Sequence, residues 1–269
     1  MNLSSLGGIL RRFTGRAACP QAASGAVGTP RPTGFRNNPL VSSAWPRWFV
    51  VVLFAVAMAW VEAAVVLYLR TLVGRLDPYQ AHPLPVAGTL GGAELIREAA
   101  TLVMLGTVGW LAGRTWRSRL AYAVVAVGVW DIGYYVFLRP LTGWPRSLLD
   151  WDILFLLPLP WWGPVLAPVL IACLMIIGGS LVVFHDVPGA PFWPRRSLLA
   201  LNAAGSLLAL GVFMGDALGV VSQGEEALRH LLPVRFNWPL YAVAWVMMAA
   251  PVGELAVRAI RPRRHATDG

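Results

Sequence analysis

Apolar residues run along this chain in six long blocks, at approximately 48–69, 93–113, 120–138, 161–184, 198–220 and 238–258. Each block is close to the roughly 20 residues that an α-helix needs to cross the hydrocarbon core of a bilayer. Short polar stretches separate them. The pattern predicts an all-α, polytopic transmembrane helical bundle of about six spans, occupying residues 47–260. Residues 1–46 carry no acid and are rich in Gly, Pro, Ser and Arg, which predicts a disordered basic tail. Residues 261–269 form a second, short basic tail.

One segment departs from this rhythm. Leu148-Leu149-Asp150-Trp151-Asp152-Ile153-Leu154-Phe155-Leu156-Leu157-Pro158-Leu159-Pro160 is too short to cross a membrane and too apolar for an ordinary loop. Two readings fit its length: a re-entrant or interfacial segment, or a fourth span that begins early and tilts. Trp161 and Trp162 follow, and tryptophan favours the headgroup layer.

The basic residues set the orientation. All are arginine, and fifteen lie in the N-terminal tail, the loops after spans two and four, and the C-terminal end; six lie in the opposite loops. Cytoplasmic loops carry the excess of positive charge, so both termini are expected in the cytoplasm. The N-terminal stretch has no apolar central region of a signal peptide, and Cys19 has no apolar run before it, so neither cleavage nor a lipoprotein site is expected. The Arg-rich, acid-free start is like an organellar transit peptide. The absence of lysine instead fits a bacterial chain of the inner membrane.

Composition agrees with the pattern. The chain is 57% hydrophobic and 13% charged, against about 25% charged residues in soluble domains, and its mean hydropathy is +0.61. The net charge of +9 is spread over loop arginines rather than gathered in a patch, so the expected partner is the lipid bilayer and not nucleic acid. Cys19 and Cys173 match no metal or disulfide pattern. Gly211, Gly215 and Gly219 recur at intervals of four in span five, as Gly109 and Gly113 do in span two; such small residues let helices approach closely and mark possible helix-to-helix contacts.

Candidate chemistry comes from acids inside spans. Glu62, Glu98, Asp131 and Asp216 lie about seven, five, seven and four residues from the outer ends of their spans. At about 1.5 Å per residue that is one common depth, roughly 6–11 Å below the outer boundary. Glu94, Asp150 and Asp152 sit just above. A carboxylate at mid-membrane costs about 2.5–3.5 kcal/mol, so several at one level predict an outward-opening polar pocket. The candidate catalytic residues are Glu62, Glu98, Asp131 and Asp152. Candidates for substrate binding are Arg97, Tyr134, Tyr135, Trp130 and Trp151. Glu94 and Glu98 also suit the first turns of a helix, and Asp216 suits the end of one. Glu254 is expected to pair with Arg258, and Asn202 to bond another helix.

The four histidines, His82, His185, His230 and His265, all fall outside span interiors, so haem held between helices is not expected. His82 and His230 fall in outer loops that could fold over the pocket. An oxygen-rich site for a hard divalent cation is conceivable from Glu62, Glu98, Asp131 and Asp152, although no spacing motif marks one. Three functions fit these features: an enzyme acting on a lipid-like substrate by acid/base or metal-assisted chemistry, a small proton- or cation-coupled carrier, and a scaffold or assembly subunit.

Overall fold

The computed structural model describes residues 43–75, 77–80, 88–156, 158–186 and 191–260. The expected tails, 1–46 and 261–269, lie almost wholly outside these residues, as do His82 and His265. Six helices are long and apolar enough to cross a membrane: α1 (Ala44–Leu72), α2 (Gly88–Ala112), α3 (Trp116–Thr142), α4 (Leu166–His185), α5 (Arg196–Val220) and α7 (Trp238–Ile260). A one-turn helix, α6 (Glu225–Arg229), lies between the last two. The chain is therefore an all-α, multi-pass bundle.

Most spans are longer than their apolar runs. α1 starts at Ala44, four residues before its apolar run, and continues through Arg70 and Thr71 to Leu72. α3 opens on a capping box between Thr115 and Ser118 and closes on Gly143, whose positive φ of 75° suits glycine. Polar terminal turns stay helical because caps satisfy the end groups. Glu62 and Glu98 therefore each lie ten residues from the end of their helix nearest the hairpin, and Asp131 eleven. That is deeper than the apolar runs alone imply.

α3 is the central helix and packs on α1, α2 and α4; α4 leads on to α7, and α7 to α5. The buried face of α1 runs Val51, Ala55, Ala59, Glu62, Ala63, Val66, Arg70, a spacing of three and four that keeps one stripe inward. Small residues set the close approaches. A Cβ on Gly109 would sit 2.4 Å from the Ala123 nitrogen, and one on Gly128 would sit 2.8 Å from the Ala172 carbonyl oxygen.

Gly211, Gly215 and Gly219 behave differently: a Cβ on any of them meets nothing within 4 Å. Within this chain they are not packing glycines, because α5 turns Gly205, Ala209, Phe213 and Ala217 inward instead. Gly128→Val should therefore destabilise the bundle by about 1–3 kcal/mol, and Gly211→Val should leave it unchanged. Thermal unfolding in detergent compares the two, and equal melting temperatures would contradict this packing.

The segment before the fourth span does not begin that span early; it folds as a short hairpin of its own, as a re-entrant or interfacial segment can. β1 (Trp151–Ile153) pairs antiparallel with β2 (Trp162–Pro164), with Asp152 opposite Gly163. Leu154 N–H bonds to the Trp161 carbonyl at 2.9 Å, and Trp161 N–H to the Phe155 carbonyl at 2.8 Å. Pro158, Pro160 and Pro164 supply no backbone donor and break helix, so the apolar run folds as a hairpin and α4 begins at Leu166. Asn202 Nδ2 donates to the Met248 carbonyl of α7 at 3.0 Å, an interhelix bond as expected. Glu254 pairs more closely with Arg195, at 3.0 Å, than with Arg258, at 3.9 Å. The loop before α5 brings the nearer cation.

Candidate functional site: a carboxylate pocket under a hairpin

At the end of the bundle where α1 and α3 finish and α2 begins, the hairpin closes a cavity of about 130 Å³. α2 leans on α3 and barely touches α1, which leaves space between them. On the inward face of α2, Glu94, Arg97, Glu98 and Thr101 fall at helical spacing, followed by Leu105 and Gly109. One stripe thus passes from polar to apolar with depth.

Arg97 joins two helices. Its Nε donates to Glu94 Oε2 at 2.9 Å and its Nη2 to Glu94 Oε1, while Nη1 pairs with Glu62 Oε1 on α1. Thr101 Oγ1 donates to the other Glu62 oxygen at 3.4 Å. Both oxygens of Glu98 accept the Leu156 N–H, at 3.3 and 3.2 Å, which docks the hairpin onto α2. Arg70 Nη2 donates to Asp152 Oδ1 at 3.3 Å and to the Tyr134 hydroxyl at 3.4 Å. Its guanidinium lies 4.5 Å from the Trp144 ring centre, a cation–π contact.

Asp152 is only 1% exposed. It belongs to the hairpin, outside the six spans, and burial pushes its carboxyl up to about 6 against the opposing pull of Arg70. The Tyr135 hydroxyl favours its charged form from close by, yet no hydrogen bond of normal geometry reaches Oδ2. Asp131, on α3, makes no hydrogen bond or ion pair among the described residues and lies within electrostatic reach of Asp152.

The expected site residues largely come together. Glu62, Glu98, Asp131, Asp152, Arg97, Tyr134, Tyr135 and Trp130 all line this cavity. Trp151 does not: it lies against Tyr79 and Phe236, because neighbours on a strand point to opposite faces and Asp152 takes the inward one. Asp216 is exposed on α5, away from the cavity. His230 pairs with Glu226 at 3.0 Å on α6 and does not line the cavity. Among the described residues, no three of Asp, Glu, His and Cys converge in a way that could hold a metal ion, so the four acids do not form the conceivable cation site.

Arg70 and Arg75 are lining residues that charge-counting for topology conceals. The signal for Arg70 is its place eight residues after Glu62, on the same helical face. Arg75 donates to the Pro78 carbonyl at 3.1 and 2.6 Å and to the Gln80 carbonyl at 3.2 Å, which folds the chain after α1 over the cavity.

Towards the other end of the bundle the described interior is mostly apolar, with Ala55, Ala59, Leu105 and Ala126 fully buried and Asn202 and Glu254 as polar exceptions. A second cavity of about 350 Å³ lies between α3, α4, α5 and α7. It carries no carboxylate and shares no lining residue with the first. Fold and site together define a multi-pass helical bundle with a carboxylate-lined pocket at one end. No family model matches the chain, and no curated protein or solved structure is significantly similar to it.

Proposed function

We propose that this protein is a membrane-embedded enzyme that acts on a lipid-like substrate by acid–base chemistry at Asp131 and Asp152. The observation that carries this reading is the pairing of an uncompensated carboxylate, Asp131, with a buried one, Asp152, across a shared cavity. Two like charges in a poorly solvated site do not both ionise readily, and a shared proton near neutral pH is what general acid–base catalysis requires. Asp131 is the proton acceptor, and Asp152, held by Arg70, is the second carboxylate that shares its proton. Tyr134 and Tyr135 orient the reacting group.

Glu62, Glu94 and Arg97 have a different role. Their charges are met by one another, so they fix α1 against α2 and hold the pocket open. Glu98 positions the hairpin through Leu156 N–H. Beyond the pocket the interior is mostly apolar, with Asn202 and Glu254 set apart from the carboxylates, which disfavours a carrier that needs polar groups through to the opposite face. The arginine distribution supports the inner membrane of a bacterium, with both termini cytoplasmic and the pocket at the periplasmic face.

The test is conversion of a bacterial polar lipid extract by the full chain in proteoliposomes, followed by mass spectrometry. Lipid conversion by the wild type should fall at least about a hundredfold in Asp131→Asn, the scale on which a lost acid or base is felt. Unchanged conversion in a folded Asp131→Asn protein would remove the acid–base role. Absence of conversion by the wild type would favour a scaffold.

A further inference from the structure

Among the described residues, the carboxylates that line the pocket outnumber the guanidiniums. Five carboxylates line it, Glu62, Glu94, Glu98, Asp131 and Asp152, against three guanidiniums, Arg70, Arg75 and Arg97. Arg97 meets Glu62 and Glu94, and Arg70 meets Asp152. Among the described residues Asp131 and Glu98 have no ion-pair partner. Two lining side chains also hold a buried polar atom with no hydrogen-bond partner: Oδ2 of Asp152 and Nε1 of Trp130, a residue only 8% exposed. Such atoms cost free energy unless something satisfies them.

Aromatic rings form the rest of that wall. Trp130, Tyr134, Tyr135 and Phe155 line the same cavity as Asp131 and Asp152. Carboxylates set among aromatic faces suit an organic cation, which takes charge-assisted hydrogen bonds from the acids and cation–π attraction from the rings. A metal ion would need several converging donors, and these are lacking among the described residues. An ammonium group needs only two or three acceptors.

The geometry points to a ligand that carries a primary ammonium group, seated between Asp131 and Asp152 against the Trp130 and Tyr135 rings. The Trp130 N–H is then left to donate to an oxygen elsewhere on the same molecule. This rests on the acid–base reading above and names the group on which it acts. In the first step one proton leaves R–NH3+ for the Asp131 carboxylate, giving R–NH2 and the Asp131 carboxylic acid. An ion pair becomes two neutral groups, the direction that burial favours. The ammonium group has two sources, the amino headgroup of a phospholipid or a water-soluble amine.

The test uses the full chain in phosphatidylcholine nanodiscs doped with phosphatidylethanolamine or with its N-acetyl derivative, with bound lipid counted by native mass spectrometry. A parallel arm adds free ethanolamine and reads the melting temperature. Phosphatidylethanolamine should be retained about tenfold more strongly than the N-acetyl lipid, as expected for charge-assisted hydrogen bonds, and Asp131→Asn should abolish the preference. Stabilisation by ethanolamine with no lipid preference would assign the site to a soluble amine. Equal retention of the two lipids without any effect of ethanolamine would overturn the proposal, and that comparison needs no variant. Ammonium binding without a carboxyl that titrates near neutral pH would keep this site and remove the acid–base role. Titration without ammonium binding would do the reverse.

Discussion

Arg97→Ala should be the most damaging single substitution in the half of the bundle that holds the pocket. The arginine holds two carboxylates, Glu94 on its own helix and Glu62 on α1, and both acids are largely withdrawn from solvent. Its removal leaves two buried charges without a counter-ion, and breaking a buried ion pair in this way costs about 3–5 kcal/mol. The contact between α1 and α2 is sparse, so little else holds these helices together at that depth. Unfolding of the purified variant in detergent should show a loss of that size, or no folded protein at all. Arg97→Ala combined with Glu62→Gln and Glu94→Gln should recover most of it, because no charge is then stranded. A single variant as stable as the wild type would mean that the two carboxylates are hydrated, and that the pocket is wider than its side chains indicate.

The second large effect is a dependence of stability on pH that runs opposite to ordinary acid denaturation. Asp152 titrates at about 6 in the folded protein because it is buried, against its ordinary value of 3.8 once unfolded. Between those values the folded chain binds more protons than the unfolded one, so stability falls as pH rises from about 4 to about 6 and then levels off. At 1.36 kcal/mol for each unit of pKa, the contribution is about 3 kcal/mol across that window. Asp152→Asn carries no titrating proton and should flatten this part of the profile. Its absolute stability should also fall, since Arg70 loses its carboxylate. Melting temperatures of the two proteins at pH 4, 5, 6 and 7 separate the effects. Parallel profiles would show that Asp152 keeps its ordinary acidity and is not closed off by the hairpin.

The six spans are legible in the chain because a bilayer permits few alternatives to a run of about 20 apolar residues. The level at which Glu62, Glu98 and Asp131 gather is legible for the same reason, since rise per residue converts position into depth. Partners are not legible. Arg70 reads as one of several outer arginines until the helical face it shares with Glu62 is considered, and its contact with Asp152 depends on a hairpin that no periodicity announces. The hairpin itself was masked by an apolar run that suits helix as well as strand, with only Pro158, Pro160 and Pro164 arguing against helix. Trp151 falls outside the cavity for the same reason: on a strand it points away from its neighbour Asp152. The glycines of α5 are a different case. A small-residue stripe says that a helix can be approached closely, but not that anything in its own chain does so; Gly109 has Ala123 against it, and Gly211 has nothing.

The central claim is that Asp131 and Asp152 handle a proton in the pocket under the hairpin. Infrared difference spectroscopy of the reconstituted protein, titrated from pH 8 to pH 4, reads this directly through the carbonyl stretch of protonated carboxyl groups. A carboxyl band that grows as pH falls through about 6, is absent from Asp152→Asn, and is shifted in Asp131→Asn is the result this account predicts. A band that appears only near the ordinary carboxylate range, unchanged in both variants, would contradict it and leave the acids as ion-pairing struts of the bundle.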